Sequence, residues 1–438
     1  MNVTRYEAKY MSALTNTCKA NGEISLKERI RKGRAKFAAM AGTYFVGAFN
    51  DNFFKQAAML TAVAVGRSQM QGYATVIFTL PFILLAAPAG WCADRFSKRS
   101  VVICAKLLEL GAMTFGAFGI IYGRWDLILV MLGIEGMQAT MFSPALNGSI
   151  PELYPAEYVI TANAIIRMIS MASILGGIAS AGFILDIKGS MGTLPLNHFI
   201  VAAVVIGISA MGVLISFGVA KFPAAAPETK FPWRGPIETL KMLYQIRKDR
   251  LLAVSIAANA VFWFIGSLQV LAINQLGLSQ LGLSSSWTSG LVVAELAGIA
   301  AGGFISTRLA VGARWYRVLA PSGLLIAVFM IITGTIAQFG NHAKLAYLFA
   351  SFLMMGMAGG VFTVPLESFI QVRPGADRKG ATIAAANFAA FCGILLSGPV
   401  LNMLNAYGIS PANDFAIMGI ISAAGTGVLF ALLRNKAL

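Results

Sequence analysis

The chain has 438 residues, 57% of them hydrophobic and only 12% charged. Soluble globular chains carry about 25% charged residues, so this one cannot coat a water-facing surface, and it is far too apolar for disorder. Its formal net charge of +16 would suggest nucleic acid in a soluble protein; basic loops beside apolar spans explain it better, and no nucleic-acid partner is expected.

In chain order, residues 1–36 form a basic tail with no apolar core of a secretory signal. Ile24–Phe37 reads either as a basic helix at the membrane surface or as a solvated tail that enforces orientation. Twelve apolar spans follow, each near the roughly 20 residues that a membrane helix needs. The first six cover about 38–65, 73–93, 100–122, 127–149, 159–186 and 198–220; the last six cover about 251–276, 286–309, 317–339, 344–370, 380–404 and 412–433. The short alternating segments of a transmembrane barrel are missing. Between spans six and seven, Lys221 to Arg250 carries Pro223, Pro227, Pro232 and Pro236 and reads as a cytoplasmic linker between two halves, 37–220 and 251–438. The predicted fold class is thus an all-α membrane protein of twelve transmembrane helices in two six-helix halves.

Charge placement sets the orientation. With the N-terminus cytoplasmic, 27 of the 34 Lys and Arg fall in cytoplasmic segments and four in outer loops, as the positive-inside rule requires. Both termini are then cytoplasmic. A weak internal repeat supports the halving: Phe142-Ser-Pro-Ala-Leu in span four parallels Phe362-Thr-Val-Pro-Leu in span ten. Each follows Gly-Met and precedes Ala-Asn, at Ala162-Asn163 and Ala386-Asn387. This is the layout of the major facilitator class, with a substrate site between the halves near the midplane.

Two polar motifs stand out. Gly90-Trp-Cys-Ala-Asp94-Arg95-Phe-Ser-Lys98-Arg99 resembles the signature loop of the major facilitator superfamily. Gly90 is expected to permit close helix approach. Asp94 is expected to pair across helices as a conformational latch, with Arg95, Lys98 and Arg99 in the cytoplasmic loop. The second-half counterpart, Gly302 to Arg308, lacks the Asp, so the latch is expected on one side only. In span one, Asn50-Asp51-Asn52 and Lys55 are costly inside a bilayer, where a central charge costs about 2.5–3.5 kcal/mol or more. Asp51 and Lys55 are four apart and share a helix face. They form either a structural pair at a helix break or a polar site facing a central cavity. Lys106–Glu109 reads as a structural pair. Asn163 and Arg167 share a face of span five. Glu135 and Glu367 are candidate protonation sites.

Gly47-Ala-Phe-Asn-Asp-Asn-Phe-Phe-Lys55, Phe142-Ser-Pro-Ala-Leu-Asn-Gly148 with Pro151-Glu-Leu153, and Gly359-Gly-Val-Phe-Thr-Val-Pro-Leu366 resemble the bacterial lysophospholipid transporters, including those fused to an acyl-acyl carrier protein synthetase and acyltransferase. The resemblance spans roughly 38–433. It implies flipping of lysophospholipid across the inner membrane for re-acylation by a cytoplasmic acyltransferase. It places the substrate near Asn50, Asp51, Asn52, Lys55, Asn163, Arg167, Gln269 and Glu367. Two positions depart from the family: Leu146 stands where Lys is usual, and Gln269 where some members have Arg.

Two rivals are weaker. A proton-coupled exporter of small hydrophobic compounds would use the same fold. An integral-membrane lipid enzyme would need catalytic groups, yet the chain has two histidines and four scattered cysteines, with no metal spacing and no nucleotide-binding loop. No enzyme activity, cofactor or metal is expected. The expected partners are the amphiphilic substrate and membrane lipids.

Overall fold

The computed structural model describes residues 26–434 apart from 225, 311, 340–343 and 376–377. The tail to residue 25, with Cys18, and also His342, lie outside the described residues. The described chain is almost wholly helical. Helix α1 (Leu26–Ala64) is followed by α2 (Gln69–Leu84), α3 (Ala86–Arg95), α4 (Lys98–Tyr122), α5 (Trp125–Leu153), α6 (Ala156–Leu185) and α7 (Leu196–Ser216). A linker helix, α8 (Gly235–Ile246), leads to α9 (Arg250–Gln275), α10 (Ser285–Leu309), α11 (Leu319–Phe339), α12 (Lys344–Val372), α13 (Lys379–Ala406) and α14 (Pro411–Arg434). A two-residue hairpin, Ser190–Met191 against Leu194–Pro195, joins α6 to α7.

Local chemistry sets several boundaries. The Ser97 hydroxyl accepts from Ser100 N–H at the start of α4, Ser284 caps α10 through Trp287 N–H, and Asp249 caps α9 through Leu252 N–H; each satisfies a backbone donor that the first helical turn leaves free. Gly123, at φ 64°, closes α4 in the left-handed region. A 54° bend separates α2 from α3. Pro88 accounts for it, since it lacks an N–H and its ring clashes with the carbonyl of Leu84.

Among the described residues, ten segments are long and apolar enough to cross a membrane, and the bent α2–α3 pair makes an eleventh. The remaining expected span, 38–65, lies in α1 and is not among them. Asn50, Asp51, Asn52, Lys55 and Gln56 interrupt its apolar character.

Helices α1–α7 pack mainly on one another, as do α9–α14. The most extensive pairing joins α10 to α12. There, Gly298 and Gly302 face Gly356 and Gly360. A side chain at Gly298 would strike the α12 backbone at Leu353 and Met357, and one at Gly356 the α10 backbone at Glu295 and Ile299. Two Gly-x-x-x-Gly stripes therefore let two backbones meet.

The two groups of helices touch mostly through α2–α13 and α6–α10, at the end of the bundle away from the linker. Gly72 lies against the backbone of Gly398, and Gly182 against Ser285 and Ser289. A carboxamide network seals this end. Gln56 donates to Asn274 (3.0 Å) and Ser289 (3.3 Å), and Asn274 donates to Gln71 (3.0 Å). Asp186, just past α6, accepts from the N–H groups of Ser285 and Ser286 at 2.9 Å each.

Candidate functional site

A charged cluster sits inside the first group of helices. The carboxylates of Asp51 (α1), Glu109 (α4) and Glu135 (α5) each bring an oxygen within 4.8 Å of the others. Lys106 pairs with Glu109, the i,i+3 pair expected from the sequence. Gln138 donates to the same carboxylate at 3.2 Å. The Lys106 ammonium also lies 5.0 Å over the Phe142 ring, and Lys55 lies 4.5 Å over the Phe78 ring. Three carboxylates thus face two ammonium groups. Ionised, the cluster carries one net negative charge and can take up one positive charge. Both Glu135 oxygens are buried without a hydrogen-bond donor among the described residues, which leaves acceptors free for it.

A second pair of charges lies between the two groups of helices. Arg167 of α6 and Glu367 of α12 are close enough to attract, though no ion pair joins them among the described residues, and Trp263 of α9 lies beside Glu367. Arg167 and Asn163 are exposed, and Met168 beside them is 65% exposed. This juxtaposition joins residues of spans five, seven and ten. Two aromatic pairs lie elsewhere along the bundle: Phe262 stacks on Phe362 at 5.9 Å within the second group, and Phe82 on Phe391 at 4.5 Å across the two groups.

The residues singled out from the sequence divide between these places. Asp51 and Lys55 belong to the charged cluster. Asn50 is fully buried and turns away, donating to Val205 O (3.1 Å) and Ser209 Oγ (2.8 Å) of α7. Asn52 donates back to Ala48 O at 2.7 Å, and Asn163 to Val159 O at 3.0 Å. Gln269 is buried and points its amide at the Met355 sulfur, 3.0 Å away. Arg167 attracts Glu367 across the two groups of helices. Leu146 lies in an apolar cluster with Phe142 and Ile150, one turn from the ring that Lys106 covers.

The loop after α3 differs from expectation in two respects. Nothing lies within 4 Å of a side chain built at Gly90, so close helix approach is not its role in this conformation; the bend at Leu85 carries α3 away from a neighbour there. Asp94 is exposed, and its backbone carbonyl, at 2.9 Å from Ala226 N, makes the contact. The basic residues are the ones engaged. Arg95 donates to Pro227 O (2.8 Å) and Thr229 O (3.0 Å), Lys98 pairs with Glu152, and Arg99 donates to Phe217 O at 2.7 Å. The linker also packs Phe231 on Trp91, ring centroids 5.1 Å apart.

Sequence reasoning missed the carboxamide seal, α8 and the Trp263 contact. The seal was signalled by Gln56, Gln71 and Asn274 inside apolar runs. The helix was signalled by Gly235-Pro236 at its start and apolar residues at Ile237, Leu240, Leu243 and Ile246.

A two-group helical bundle with charges buried at its heart and between its groups is the architecture of a membrane transporter. Residues 37–399 match the Major Facilitator Superfamily, and the chain belongs to that family. It is 28% identical over 375 residues to the lysophospholipid transporter LplT of Serratia proteamaculans (strain 568), covering 84% of this chain and 86% of that one. It is 26% identical over 402 residues to LplT of Escherichia coli O1:K1 / APEC, covering 89% and 91%. Its fold is similar to the inward-facing, unoccupied crystal structure of a bacterial homolog of the human lysosomal transporter Spinster, with TM-score 0.69, 13% identity and 94% and 99% coverage. It is also similar to the nucleoside transporter NupG, with TM-score 0.65, 14% identity and 91% and 99% coverage. The chain is a multi-pass membrane transporter.

Proposed function

We propose that this transporter moves lysophospholipid across the cytoplasmic membrane by alternating access of two six-helix halves, 37–220 and 251–438, about the linker 221–250. The observation that carries this reading is the attraction between Arg167 of α6 and Glu367 of α12 across the divide. A phospholipid headgroup with an amine has the complementary pair of charges: its phosphate would meet Arg167 and its ammonium Glu367. The acyl chain would lie along the adjoining Phe and Met side chains. Binding the headgroup would replace the attraction between the two residues and let the halves separate on one side. The relatives named as lysophospholipid transporters support the same substrate class.

The charge bias supports a cytoplasmic N-terminus, C-terminus and linker. The closed end with its carboxamide seal then faces outward and the linker end faces inward. Lysophospholipid would be delivered to the cytoplasmic leaflet, where an acyltransferase is the natural consumer, and the chain itself would carry out no covalent chemistry. The second reading, proton-coupled export of small hydrophobic compounds, draws on the Asp51–Glu109–Glu135 cluster, which has room for one positive charge. Uptake of labelled lysophospholipid into vesicles with and without the protein separates the two. Protein-dependent uptake that other amphiphiles compete poorly supports lysophospholipid. Equal transport of unrelated hydrophobic cations, abolished by collapsing the proton gradient, rejects it.

A further inference from the structure

An apolar groove runs along the outer surface of the first group of helices at the linker end. Phe37, Ala41, Gly42 and Phe45 of α1 form its floor, and Ile169 of α6 and Ile215 of α7 its sides. It is a largely open depression with about 430 Å³ of space. Ile169 is two residues from Arg167, hence about 200° around α6. The groove therefore faces away from the charges between the two groups and is separate from the proposed headgroup site.

Its rim is basic. Lys36 is exposed one residue before Phe37, and Lys221 is exposed two residues beyond Val219, which packs in one cluster with Phe37.

We propose that the groove holds one acyl chain of an anionic phospholipid, with its phosphate against Lys36 and Lys221. The apolar walls fit the chain, and two cations on the rim favour a net negative headgroup over a zwitterionic one. The lipid is a fixed companion of α1, α6 and α7, apart from the transported molecule. It braces the helices beside the charged cluster.

Native mass spectrometry of the full chain, released from detergent after equilibration with equal phosphatidylglycerol and phosphatidylcholine, tests this. The expected result is one tightly retained phosphatidylglycerol, favoured at least tenfold over phosphatidylcholine. Gly42→Leu should abolish retention. A side chain there meets only Ile215, at 3.5 Å, and so projects into the groove without disturbing the fold. Lys36→Gln with Lys221→Gln, both at exposed positions, should lower the preference toward unity even if Gly42→Leu fails to fold. Equal retention of the two lipids by the unaltered chain overturns the proposal. So does undiminished preference in the double lysine variant, or undiminished retention in a folded Gly42→Leu.

Discussion

Asp186 holds the start of α10 by accepting, with its two carboxylate oxygens, from the N–H groups of Ser285 and Ser286. A single side chain at the end of one group of helices thereby caps a helix of the other. The contact can exist only while this end is shut. Losing such a cap costs about 0.5–2 kcal/mol, and one or two kcal/mol is a factor of about 5–30 in a two-state ratio. Asp186→Ala should therefore shift the population severalfold toward a conformation open at this end. Spin labels at Tyr73 and Tyr407, both exposed near it, should show a longer-distance population in the variant. An unchanged distance distribution would assign the closure to the carboxamide network alone.

The same contact has a defined pH dependence. Burial pushes the Asp186 carboxyl up, but hydrogen bonds from Ser286, Ser284 and Ser285 together outweigh it and hold the group below its usual range. A carboxyl depressed in the closed state stabilises that state above its ordinary value of about 3.9, and the benefit is lost as pH falls through the depressed value. The difference in closure between the unaltered chain and Asp186→Ala should thus be constant from pH 8 to pH 5 and shrink only below about pH 4. Label distances measured for both proteins across that range check this. A difference that vanishes between pH 7 and 5 would mean that a different group controls the gate.

Arg167 and Glu367 should separate headgroups. If phosphate meets Arg167 and ammonium meets Glu367, Arg167→Gln should lower uptake of lysophosphatidylethanolamine and lysophosphatidylglycerol alike. Glu367→Gln should penalise only the ethanolamine form. Tenfold, or about 1.4 kcal/mol, is a reasonable scale for one lost charged hydrogen bond. Competition between the two labelled lipids for each variant gives the ratio. Equal losses for both lipids in Glu367→Gln would remove the ammonium contact.

Asp51 and Lys55 now have a definite setting. The first faces Glu109 and Glu135, and the second covers the Phe78 ring. Removing one charge of a buried pair costs about 3–5 kcal/mol, because its partner is left uncompensated. Lys55→Ala leaves three carboxylates against one ammonium group and should therefore lose membrane abundance, whereas Asp51→Ala balances the cluster. Asp51→Ala with Lys55→Ala restores the native excess of one negative charge and should recover abundance; if the two residues line the substrate path, uptake stays at least tenfold down. Scoring abundance and uptake separately decides it. Recovery of both would make the pair architecture only.

The span pattern was legible in the sequence because apolar length is a one-dimensional property, and 11 of the expected spans correspond to single helices or the bent pair. The four-residue spacing of Asp51 and Lys55 likewise placed both on one side of α1. Side-chain partners were not legible where they come from distant helices. Asn50 and Asp51 are adjacent, yet one turns to Ser209 of α7 and the other to Glu109 and Glu135. A step of about 100° per residue sends neighbours to different surfaces, and only the packing decides which helix each surface meets. Gln269 shows the same limit: the family resemblance placed it near the substrate, but the structure buries it against Met355.

The linker is tied to the loop end of α3. Arg95 binds two of its carbonyls, Trp91 donates to Thr229 O at 2.9 Å, and Phe231 packs on the Trp91 ring. From there the chain enters α8, whose Ile246 packs with Leu252, Ile256 and Ile370 of the second group. The linker thus straps the end of α3 to α9 and α12. A guanidinium serving two carbonyls makes charge-assisted bonds worth about 1.5–3 kcal/mol each at most, less at this exposed site. Arg95→Ala should release residues 226–231 and expose Lys230 to trypsin, raising the cleavage rate there about tenfold. Asp94→Asn should leave that rate unchanged, because the Ala226 contact uses the backbone carbonyl of residue 94. Any transport defect of Asp94→Asn must then arise in the other conformation, as slower turnover with substrate affinity kept. If Asp94→Asn frees Lys230 as much as Arg95→Ala does, the carboxylate itself holds the strap, and the division of labour within this loop is wrong.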